Sequence, residues 1–465
     1  MLIKIYDILK EAYSIVEPSL EDEKILQKTV DYIVQKTKDV SKGELPVHSI
    51  ELGGSVAKGT WVRDKVDIDV FVKFDPNTPK NQFEDLGVKI GQRSIDPYPH
   101  FLRYSEHPYV EGYIDKFTVN IVPCYDVGEG LWKSSADRSP FHTAYMKKKF
   151  DKNLKNEVRL LKKFLQVVGL YGAEIKVQGF SGYVCEVLIL KHGSFISVLE
   201  AFSEFKEGNI VSLDEEKTNV LKKFDTPLII LDPIDNTRNL AAAISSSNIA
   251  YFVLASRSFL KTPDLSFFKN IKNNFDTFDL SKSILLEQLI VVTFKHKPRT
   301  KDVLWGQLNR SINHLAKQIS KYGFSVLRCS SASDLSSDSA FIFLFNSLTI
   351  SKSQIKIGPI VDMHEGSSEF LRSNESWSQL KWVDENRRIH ILGKRRFQKV
   401  EELINAFLTI ELPDSGLAPG LKREIESSFN VFSGKDVIRV AQKQPWLLET
   451  LNGVCVTNGF SFCSN

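Results

Sequence analysis

The chain has 465 residues, 42% of them hydrophobic, which is enough for roughly three domains with cores of their own. It contains no run of about 18 apolar residues and its five cysteines form no Cys-x-x-Cys pair, which argues against a transmembrane helix, a zinc site and a disulfide framework. The formal net charge of +4 is small for this length, so any affinity for nucleic acid must come from local basic clusters.

The first forty residues show two helical patterns. MLIKIYDILKEAYSIVEPS predicts an amphipathic helix and not a signal peptide, so we expect a cytoplasmic protein. In LEDEKILQKTVDYIVQKTKDV, apolar residues recur at helical spacing. We expect both helices to pack behind the strands that follow.

Residues 48–74 hold two strand patterns separated by a glycine turn. HSIEL is a short run that stops at Gly53, and VDIDVFVKF is a longer alternating run. Because side chains alternate along a strand, Asp67 and Asp69 share one face while the apolar residues between them face a core. Adjacent carboxylates repel unless a cation lies between them, and such oxygen ligands suit Mg²⁺. The pair therefore predicts the metal centre that two-metal phosphoryl or nucleotidyl transfer needs.

The turn before this strand has the features of a phosphate site. It offers backbone N–H groups at Gly54, the hydroxyl of Ser55 and the charge of Lys58 to a triphosphate. Each motif also has an ordinary explanation, since Asp-x-Asp is common on the wet face of a strand and Gly-Gly before Ser often forms a helix N-cap. The order of the two motifs favours the catalytic interpretation.

The next segment places an amide where an acid is expected. FEDLGVKIGQRSI predicts a helix, FLRYSEHPYVEGYI a strand broken by Pro108, and KFTVNIVPCYDV an alternating strand. In two-metal transfer a third carboxylate usually comes from such a neighbouring strand. Asn120 occupies that position, and an amide can offer an oxygen to a metal but can neither carry charge nor accept a proton.

Residues 146–168 predict one amphipathic helix with a basic face and a buried face. The basic positions are Lys148, Lys152, Lys155, Arg159 and Lys162. Such a face is often simply solvated, but beside a metal-carboxylate site phosphate binding is the better explanation.

Two polar groups follow in the central part of the chain. A helix is predicted from Ser181, a good N-cap, and Tyr171 before it is taken as a core residue that could otherwise stack on a base. In PLIILDPIDNTRNLAAAIS, Asp232 and Arg238 cluster where a buried strand is expected to lead into an Ala-rich helix. They could cap that helix, or Arg238 could read a base edge or a phosphate.

From about residue 266 the pattern changes to strand, helix, strand, strand, which predicts a ferredoxin-like sheet. Such sheets often bind RNA, although this one lacks the aromatic signature of an RNA-recognition motif. A further basic patch comprises Arg387, Arg388, Lys394, Arg395, Arg396 and Lys399. Residues 401–465 are helical and then weakly patterned.

Many motifs of the chain are those of one enzyme family. They are GGSVAKGTW with DIDVFV, EHPYVEGY, VNIVPCY, DRSPFH, NEVRLLKKF, LYGAEIKVQGFSGYVCE, LDPIDNTRNLAAAIS, PDLSFFK and HILGK. In this order the chain resembles the archaeal-type (class I) CCA-adding enzymes, which are tRNA nucleotidyltransferases of the polymerase-beta-like superfamily. Several of these motifs lie outside the catalytic core that the superfamily shares, so the resemblance is specific to the family.

The resemblance implies an α+β architecture in four regions. We expect a polymerase-beta-like catalytic head with a mixed sheet at 1–145, a helical or mixed central domain that binds nucleotide and tRNA at 146–265, a body and tail RNA-binding region at 266–400, and a C-terminal extension at 401–465. The implied reaction is template-independent addition of CCA to the 3′ end of tRNA from CTP and ATP, with two Mg²⁺ ions. The acceptor stem of tRNA is the expected partner, and a homodimer is a candidate assembly.

The resemblance also implies roles for individual residues. Asp67 and Asp69 would bind Mg²⁺, and Gly54, Ser55 and Lys58 would hold the triphosphate. Contacts to the nucleotide's phosphates, ribose or base would come from His107, His142, Lys162, Tyr171 and Arg238. For Tyr171 this implication replaces the core assignment.

One residue departs from the family pattern, because an aspartate is expected at Asn120. The chain is either a variant that tolerates Asn, an inactive form that still binds tRNA, or an enzyme in which another acid substitutes. Asp115 is a poor substitute, since it is predicted on the opposite strand face. A poly(A)-polymerase-like enzyme with another RNA acceptor is a further alternative.

Overall fold

The structure is a computed structural model that describes residues 2–63, 66–104, 106–214, 224–269, 284–409 and 415–455. The chain divides into two compact units, one formed by residues up to 273 and the other by residues 274–457. Within the described residues no single helix is long and apolar enough to cross a membrane, although one pair of consecutive helices, bent by 90°, passes that test of length and composition when taken together.

The first unit contains two sheets and the helices around them. Its described helices are α1 (Leu2–Val16), α2 (Leu20–Ser41), α3 (Gly54–Lys58), α4 (Lys80–Ile95), α5 (Arg138–Lys149), α6 (Lys152–Val167), α7 (Gly182–His192), α8 (Phe195–Ser203) and α9 (Ser246–Lys261). Its described strands are β1 (Val47–Gly53), β2 (Asp67–Phe74), β3 (His100–Tyr104), β4 (Pro108–Ile114), β5 (Phe117–Tyr125), β6 (Asn209–Val211), β7 (Leu228–Asp232) and β8 (Asp235–Asn239).

The larger sheet of this unit has the order β1-β2-β5-β4-β3, in which only β2 and β5 run parallel. This confirms the predicted mixed sheet. Along β2 the apolar residues Ile68, Val70 and Val72 are fully buried, while the two aspartates between and before them are partly exposed. The alternation read from the sequence is therefore correct.

The two N-terminal helices pack in different places. Leu26, Val30 and Ile33 of α2 join the core behind the large sheet, as predicted. Ala12 and Val16 of α1 instead belong to the helical core built around α6, α7 and α8. The prediction that both helices lie behind the strands is wrong for α1.

The predicted basic helix is interrupted. Helix α5 ends at Lys149, and α6 begins at Lys152 because the Asp151 carboxylate accepts a hydrogen bond from the Leu154 N–H at 2.8 Å. A side chain that satisfies a free N–H group in this way starts a new helix.

Two further segments differ from the predicted elements. The strand expected across Pro108 is an antiparallel pair, β3 and β4, in which Pro108 begins the second strand. A proline has no N–H to donate, so it is tolerated at a strand start. The residues after Asp232 form the hairpin β7–β8, and α9 begins only at Ser246, so Arg238 lies on a strand and not at a strand-to-helix junction.

The second unit holds two antiparallel sheets, one ordered β10-β11-β9-β15 and the other β12-β14-β13. Its described strands are β9 (Leu289–Lys295), β10 (Val326–Ser333), β11 (Asp338–Phe345), β12 (Ser353–Ile360), β13 (Ser378–Val383), β14 (Arg388–Lys394) and β15 (Asn430–Ser433). Its described helices are α10 (Lys301–Lys321), α11 (His364–Ser373), α12 (Val400–Leu408), α13 (Pro419–Ser428), α14 (Lys435–Ala441) and α15 (Pro445–Cys455). The chain order β9-α10-β10-β11, later helices and then β15 follows the predicted ferredoxin-like pattern, with the second sheet inserted.

The C-terminal region belongs to this unit. Strand β15 pairs with the central strand β9, and Leu403 and Leu421 lie in the same core as α10. The apolar residues between 400 and 455 recur too irregularly in the sequence to predict that this region packs into the second unit. The described residues after 400 therefore complete the second unit and are not a separate extension.

Candidate active site

The site is built on one face of the large sheet of the first unit. Asp67 and Asp69 project from that face of β2, and Asp69 lies directly opposite Asn120 on the parallel strand β5. The register of the two strands therefore places the amide next to the carboxylate pair, as predicted. Asp69 and Asn120 line the same cavity.

The amide of Asn120 is bonded to Asp69. Its Nδ2 donates a hydrogen bond to Asp69 Oδ1 at 2.9 Å, while its own Oδ1 is buried and has no partner among the described residues. Burial raises the pKa of the Asp69 carboxyl to about 6, and the Asp67 charge adds to this, whereas the Asn120 hydrogen bond and Lys58 oppose it. A cation close to Asp69 would favour its ionised form, and the buried Asn120 oxygen beside it is a further oxygen atom that could contact such a cation.

The glycine turn brings the backbone against Asp69. Gly54 has φ +65° and begins α3, and a Cβ built on it would lie 1.9 Å from Asp69 Oδ2. Only glycine fits both this conformation and this approach. Ser55 follows at the second position of the short helix.

Lys58 and Lys162 share a buried carboxylate. Lys58 Nζ lies 2.5 Å from Glu186 Oε2, and Lys162 Nζ lies 3.3 Å from Oε1 of the same residue, which also accepts a hydrogen bond from Thr60 Oγ1 at 2.6 Å. Glu186 is 0% exposed. Burial alone would raise the pKa of Glu186, but the two ammonium groups outweigh it and the pKa is lowered. Two basic side chains thus face one buried carboxylate, although burial lowers the pKa of Lys162 itself.

Tyr171 lies beside the same group. A Cβ built on Gly182, at the start of α7, would be 2.9 Å from the Tyr171 hydroxyl and 3.4 Å from Lys162 Nζ. Burial raises the pKa of Tyr171 well above its usual value. The structure thus brings Tyr171 and Lys162 together at the N-terminus of α7, although neither lines the main cavity.

A second charged cluster surrounds Asp232, which is fully buried at the end of β7. Asp232 Oδ2 lies 2.9 Å from His142 Nε2 and accepts a hydrogen bond from Arg238 Nη1 at 3.2 Å, and Oδ1 accepts one from the Tyr183 hydroxyl at 3.3 Å. Burial lowers the pKa of His142, against the opposing effect of Asp232. Asp232 therefore orients the imidazole and the guanidinium, both of which line the cavity.

One cavity is lined by residues of the glycine turn, of the large sheet and of the Asp232 cluster. It has a volume of about 450 Å³, within the range of about 300–1,000 Å³ that small-molecule sites have. Of the predicted site residues, those that line it are Gly54, Lys58, Asp69, His107, Asn120, His142 and Arg238. The buried His107 ring packs edge-on against Phe83 at 5.2 Å.

The basic face of the helix after residue 146 is exposed only in part. Lys148 and Lys152 are exposed, but Arg159 and Lys162 are buried. Arg159 donates hydrogen bonds to the backbone oxygens of Trp61 and Gly59. The prediction of one continuous basic face is wrong, because the later residues hold the loop after α3 in place.

The donor set fits a hard divalent cation. Within the described residues there is no group of three or more histidine, cysteine or acidic side chains arranged to hold a metal. The site instead combines the carboxylates of Asp67 and Asp69 with the orphaned amide oxygen of Asn120, and oxygen ligands of this kind suit Mg²⁺.

Sequence reasoning missed Glu186 and Tyr183. Glu186 is a lone acid within the otherwise apolar helix GYVCEVLILKH, and such a charge is rarely buried unless it is paired. A lone acid in an apolar helix therefore predicts a buried ion pair. Tyr183 gave a weaker signal, since an aromatic residue at the start of an apolar helix could stack on a base but is more often a core residue.

Three domain families match the chain. A nucleotidyltransferase domain matches residues 34–142, the second domain of tRNA nucleotidyltransferases matches 156–269, and the C-terminal domain of CCA-adding enzymes matches 287–434. The matches cover both units.

Curated relatives agree with these domains. The CCA-adding enzyme of Methanococcus maripaludis is 35% identical over 386 residues, which cover 80% of this chain and 85% of that protein. The CCA-adding enzyme of Saccharolobus solfataricus is 34% identical over 407 residues, with 87% and 93% covered. That of Sulfurisphaera tokodaii is 34% identical over 405 residues, with 87% and 92% covered.

Proposed function

Because the chain belongs to the archaeal-type CCA-adding enzymes, which are tRNA nucleotidyltransferases, we propose that it adds C, C and A to the 3′ end of tRNA from CTP and ATP without a template. The observation that supports this is the convergence of Asp69, the glycine turn and the Asp232 cluster on one cavity. Membership of the family disfavours the poly(A)-polymerase alternative.

In the proposed reaction the 3′-hydroxyl oxygen of the tRNA attacks the α-phosphorus of the bound nucleotide. The new P–O bond forms as the bond to the β-phosphate oxygen breaks, and pyrophosphate leaves with that electron pair. The hydroxyl proton cannot pass to the Asn120 amide, whereas the Asp69 carboxylate, whose pKa burial raises to about 6, lines the cavity and can accept it. Positioning of the two reactants supplies most of the rate.

Individual residues have distinct proposed roles. The backbone at Gly54, the hydroxyl of Ser55 and Lys58 hold the triphosphate. The proposed contacts of Lys162 and Tyr171 require the triphosphate to extend beyond the main cavity, which neither residue lines. His107, His142 and Arg238 contact the rest of the nucleotide, with Arg238 reading the base. The position of Lys58 at the cavity, where it pairs with Glu186, and the partly exposed guanidinium of Arg238 support this division.

Nucleotidyltransferases use divalent metal ions. We propose two Mg²⁺ ions for this chain, held by Asp67 and Asp69 with the Asn120 oxygen. When bound, such ions neutralise the charge that develops on the phosphoryl oxygens. The orphaned Asn120 Oδ1 and the raised pKa of Asp69 support the assignment.

The function is tested with tRNA that ends at the discriminator base, incubated with the full chain, labelled CTP, ATP and Mg²⁺. Addition of three nucleotides ending in A is expected. Long homopolymer tails would favour a poly(A)-polymerase-like activity, and tight tRNA binding without incorporation would favour an inactive tRNA-binding form.

The metal assignment is tested in the same assay with Asp67→Ala and Asp69→Ala. Each change removes a carboxylate next to the α-phosphorus, and we expect incorporation to be abolished. Asp115→Asn is the control, since Asp115 lies in the turn after β4 at a positive φ that asparagine also adopts. Normal incorporation by Asp69→Ala would refute the assignment. We propose that the chain acts in the cytoplasm. Light scattering of the purified chain tests whether it forms a homodimer.

A further inference from the structure

The β7–β8 hairpin carries Arg238 in a bulge of its second strand. Among the described residues, β8 pairs with β7 at two positions, where Asp235 lies opposite Asp232 and Asn239 lies opposite Leu231, and the register shifts between them. Arg238 lies between these two pairs, so it belongs to the bulged part of β8. A bulge lacks the regular ladder of hydrogen bonds, and its position therefore depends on how its two ends are held.

The end of the bulge at Asn239 is held by β7 and its neighbours. Asn239 is buried. Its Oδ1 accepts hydrogen bonds from the backbone N–H groups of Ile230 and Ala241, both at 2.9 Å, and its Nδ2 donates to the backbone oxygen of Leu228 at 3.2 Å. This end of the bulge is therefore fixed within the hairpin itself.

The end of the bulge at Asp235 is held by a different element. Arg138, the first residue of α5, donates a hydrogen bond from Nε to Asp235 Oδ2 at 2.9 Å, and Asp235 Oδ1 accepts one from the Thr237 hydroxyl at 2.6 Å. Burial alone would raise the pKa of Asp235, but the hydrogen bonds from Thr237 and Arg138 outweigh it and the pKa is lowered. The Asp235 carboxylate is therefore ionised at neutral pH and forms an ion pair with the guanidinium.

Helix α5 contacts both strands of the hairpin. Arg138 and His142 are four residues apart, so they lie on the same face of α5. His142 contacts Asp232 at the end of β7, and Arg138 contacts Asp235 directly opposite on β8. Of the basic side chains in this arrangement, His142 and Arg238 line the cavity and Arg138 does not.

We propose that the ion pair of Arg138 and Asp235 sets the nucleotide preference of the site by positioning Arg238, without touching the nucleotide. A guanidinium group only donates hydrogen bonds, so it suits the N3 and O2 acceptors of cytosine and is opposed by the N3–H of uracil. This preference requires the guanidinium to be correctly oriented. The inference rests on the proposed function in requiring Arg238 to face the base.

The test measures nucleotide binding and not turnover. The full chain is mixed with Mg²⁺ and a tRNA that ends at the discriminator base in a 3′-deoxyribose, which cannot react, and the Kd values of CTP and UTP are measured by equilibrium dialysis. Arg138→Gln is expected to lower the preference for CTP over UTP by about tenfold, the contribution of one hydrogen bond to a charged group. Loss of a positive charge weakens both nucleotides alike, so the ratio reports the position of Arg238. An unchanged ratio would overturn the proposal.

Asp235→Asn provides a second variant, which is needed if Arg138→Gln fails to fold by circular dichroism. It removes the charge of the other partner and should also lower the preference for CTP. The double variant should lose no more than the larger single loss, because both changes break the same ion pair. Additive losses would mean that the two residues act independently, and would overturn the proposal.

Arg63→Gln is the matched control. Arg63 Nε lies 2.8 Å from Asp22 Oδ2, so this variant removes a similar ion pair from the same unit, and neither residue lines the cavity. The ratio of the CTP and UTP affinities should be unchanged. A loss equal to that of Arg138→Gln would mean that breaking any ion pair of the unit disturbs the site, and would overturn the proposal.

The background variant Arg238→Gln separates positioning from a structural role. If Arg138 acts through Arg238, then Arg138→Gln made in this background should leave the ratio unchanged, and equal losses in both backgrounds would contradict the proposal. Equal binding of CTP and UTP by the unmodified chain would overturn it as well. The CCA-addition assay is a separate result. Incorporation together with a ratio that ignores Arg138→Gln would reject this inference alone, and an Arg138-dependent ratio without incorporation would reject the proposed function alone.

Discussion

Glu186 supplies the counter-charge for the buried lysines of the site. It is fully buried and contacts both Lys58 and Lys162, so its removal would leave two ammonium groups in the interior without a counter-charge. Breaking a buried pair in this way costs about 3–5 kcal/mol, because the remaining charge stays desolvated. The carboxylate is therefore needed for stability even though it would repel a triphosphate.

Glu186→Gln is expected to destabilise the chain and to change its pH dependence. The folded-state pKa of Glu186 is lowered below 4.5, so its contribution is fully present above the unfolded-state pKa and is lost as the pH falls through the folded value. The free energy of unfolding, measured in urea between pH 7 and pH 3, should fall more steeply for the unmodified chain than for the variant. Parallel curves would contradict the paired state of Glu186.

Gly54→Ala is expected to abolish nucleotide incorporation while the fold is retained. The new methyl group would lie 1.9 Å from Asp69 Oδ2 at a φ of +65°, so the turn or the carboxylate must move. Gly43→Ala is the matched control, since Gly43 has φ +88° and nothing within 4 Å of its Cβ position. If both variants retain incorporation, the close approach at Gly54 has no catalytic role.

At the level of elements, helix α7 carries Glu186 and its N-terminus adjoins Tyr171 and Lys162. The helix begins at a cap in which Ser181 Oγ accepts a hydrogen bond from the Val184 N–H at 3.1 Å. The cap therefore fixes where α7 begins and, with it, the position of the Glu186 carboxylate.

Ser181→Ala is expected to lower the free energy of unfolding by about 1 kcal/mol, since an N–H at the helix start loses its partner. Ser181→Asn keeps a capping oxygen and should remain within a few tenths of a kcal/mol of the unmodified chain. Urea denaturation followed by circular dichroism measures both. Equal losses for the two variants would mean that the side chain packs and does not cap.

At the level of the whole molecule, nucleic-acid affinity must come from local charge, because the net charge is only +4. The basic patch of the second unit is partly committed to its own fold. Arg395 donates to the backbone oxygens of Ser353 and Tyr322, and Arg387 pairs with Asp362. Lys394 is exposed and forms no ion pair with another described residue.

Lys394→Gln is expected to weaken tRNA binding and to reduce the slope of log affinity against log salt by about 1, as the loss of one phosphate contact does. Filter binding at several salt concentrations measures this. Arg387→Gln, which removes an already paired charge, should have the smaller effect. An unchanged slope for Lys394→Gln would exclude Lys394 from the tRNA interface.

The sequence determined much of the catalytic sheet by itself. Two-residue alternation placed Asp67 and Asp69 on one face and Ile68 in the core, and the glycine pair before β2 predicted a close approach, because these features depend only on neighbours along the chain. Seven of the residues predicted from the family motifs line the cavity, whereas Ser55, Asp67, Lys162 and Tyr171, predicted from the same motifs, do not line it.

Only the tertiary structure decided which groups meet across the chain. The Glu186 carboxylate between Lys58 and Lys162, and the pairing of Asp69 with Asn120, join segments that lie far apart in the sequence or on strands whose register no local pattern fixes. Burial is likewise a property of packing. The helical spacing of Arg159 and Lys162 predicts an exposed basic face, but both residues are buried and bond to backbone oxygens of the loop after α3. Pairing register and burial arise from contacts between distant segments, and periodicity along one segment does not contain them.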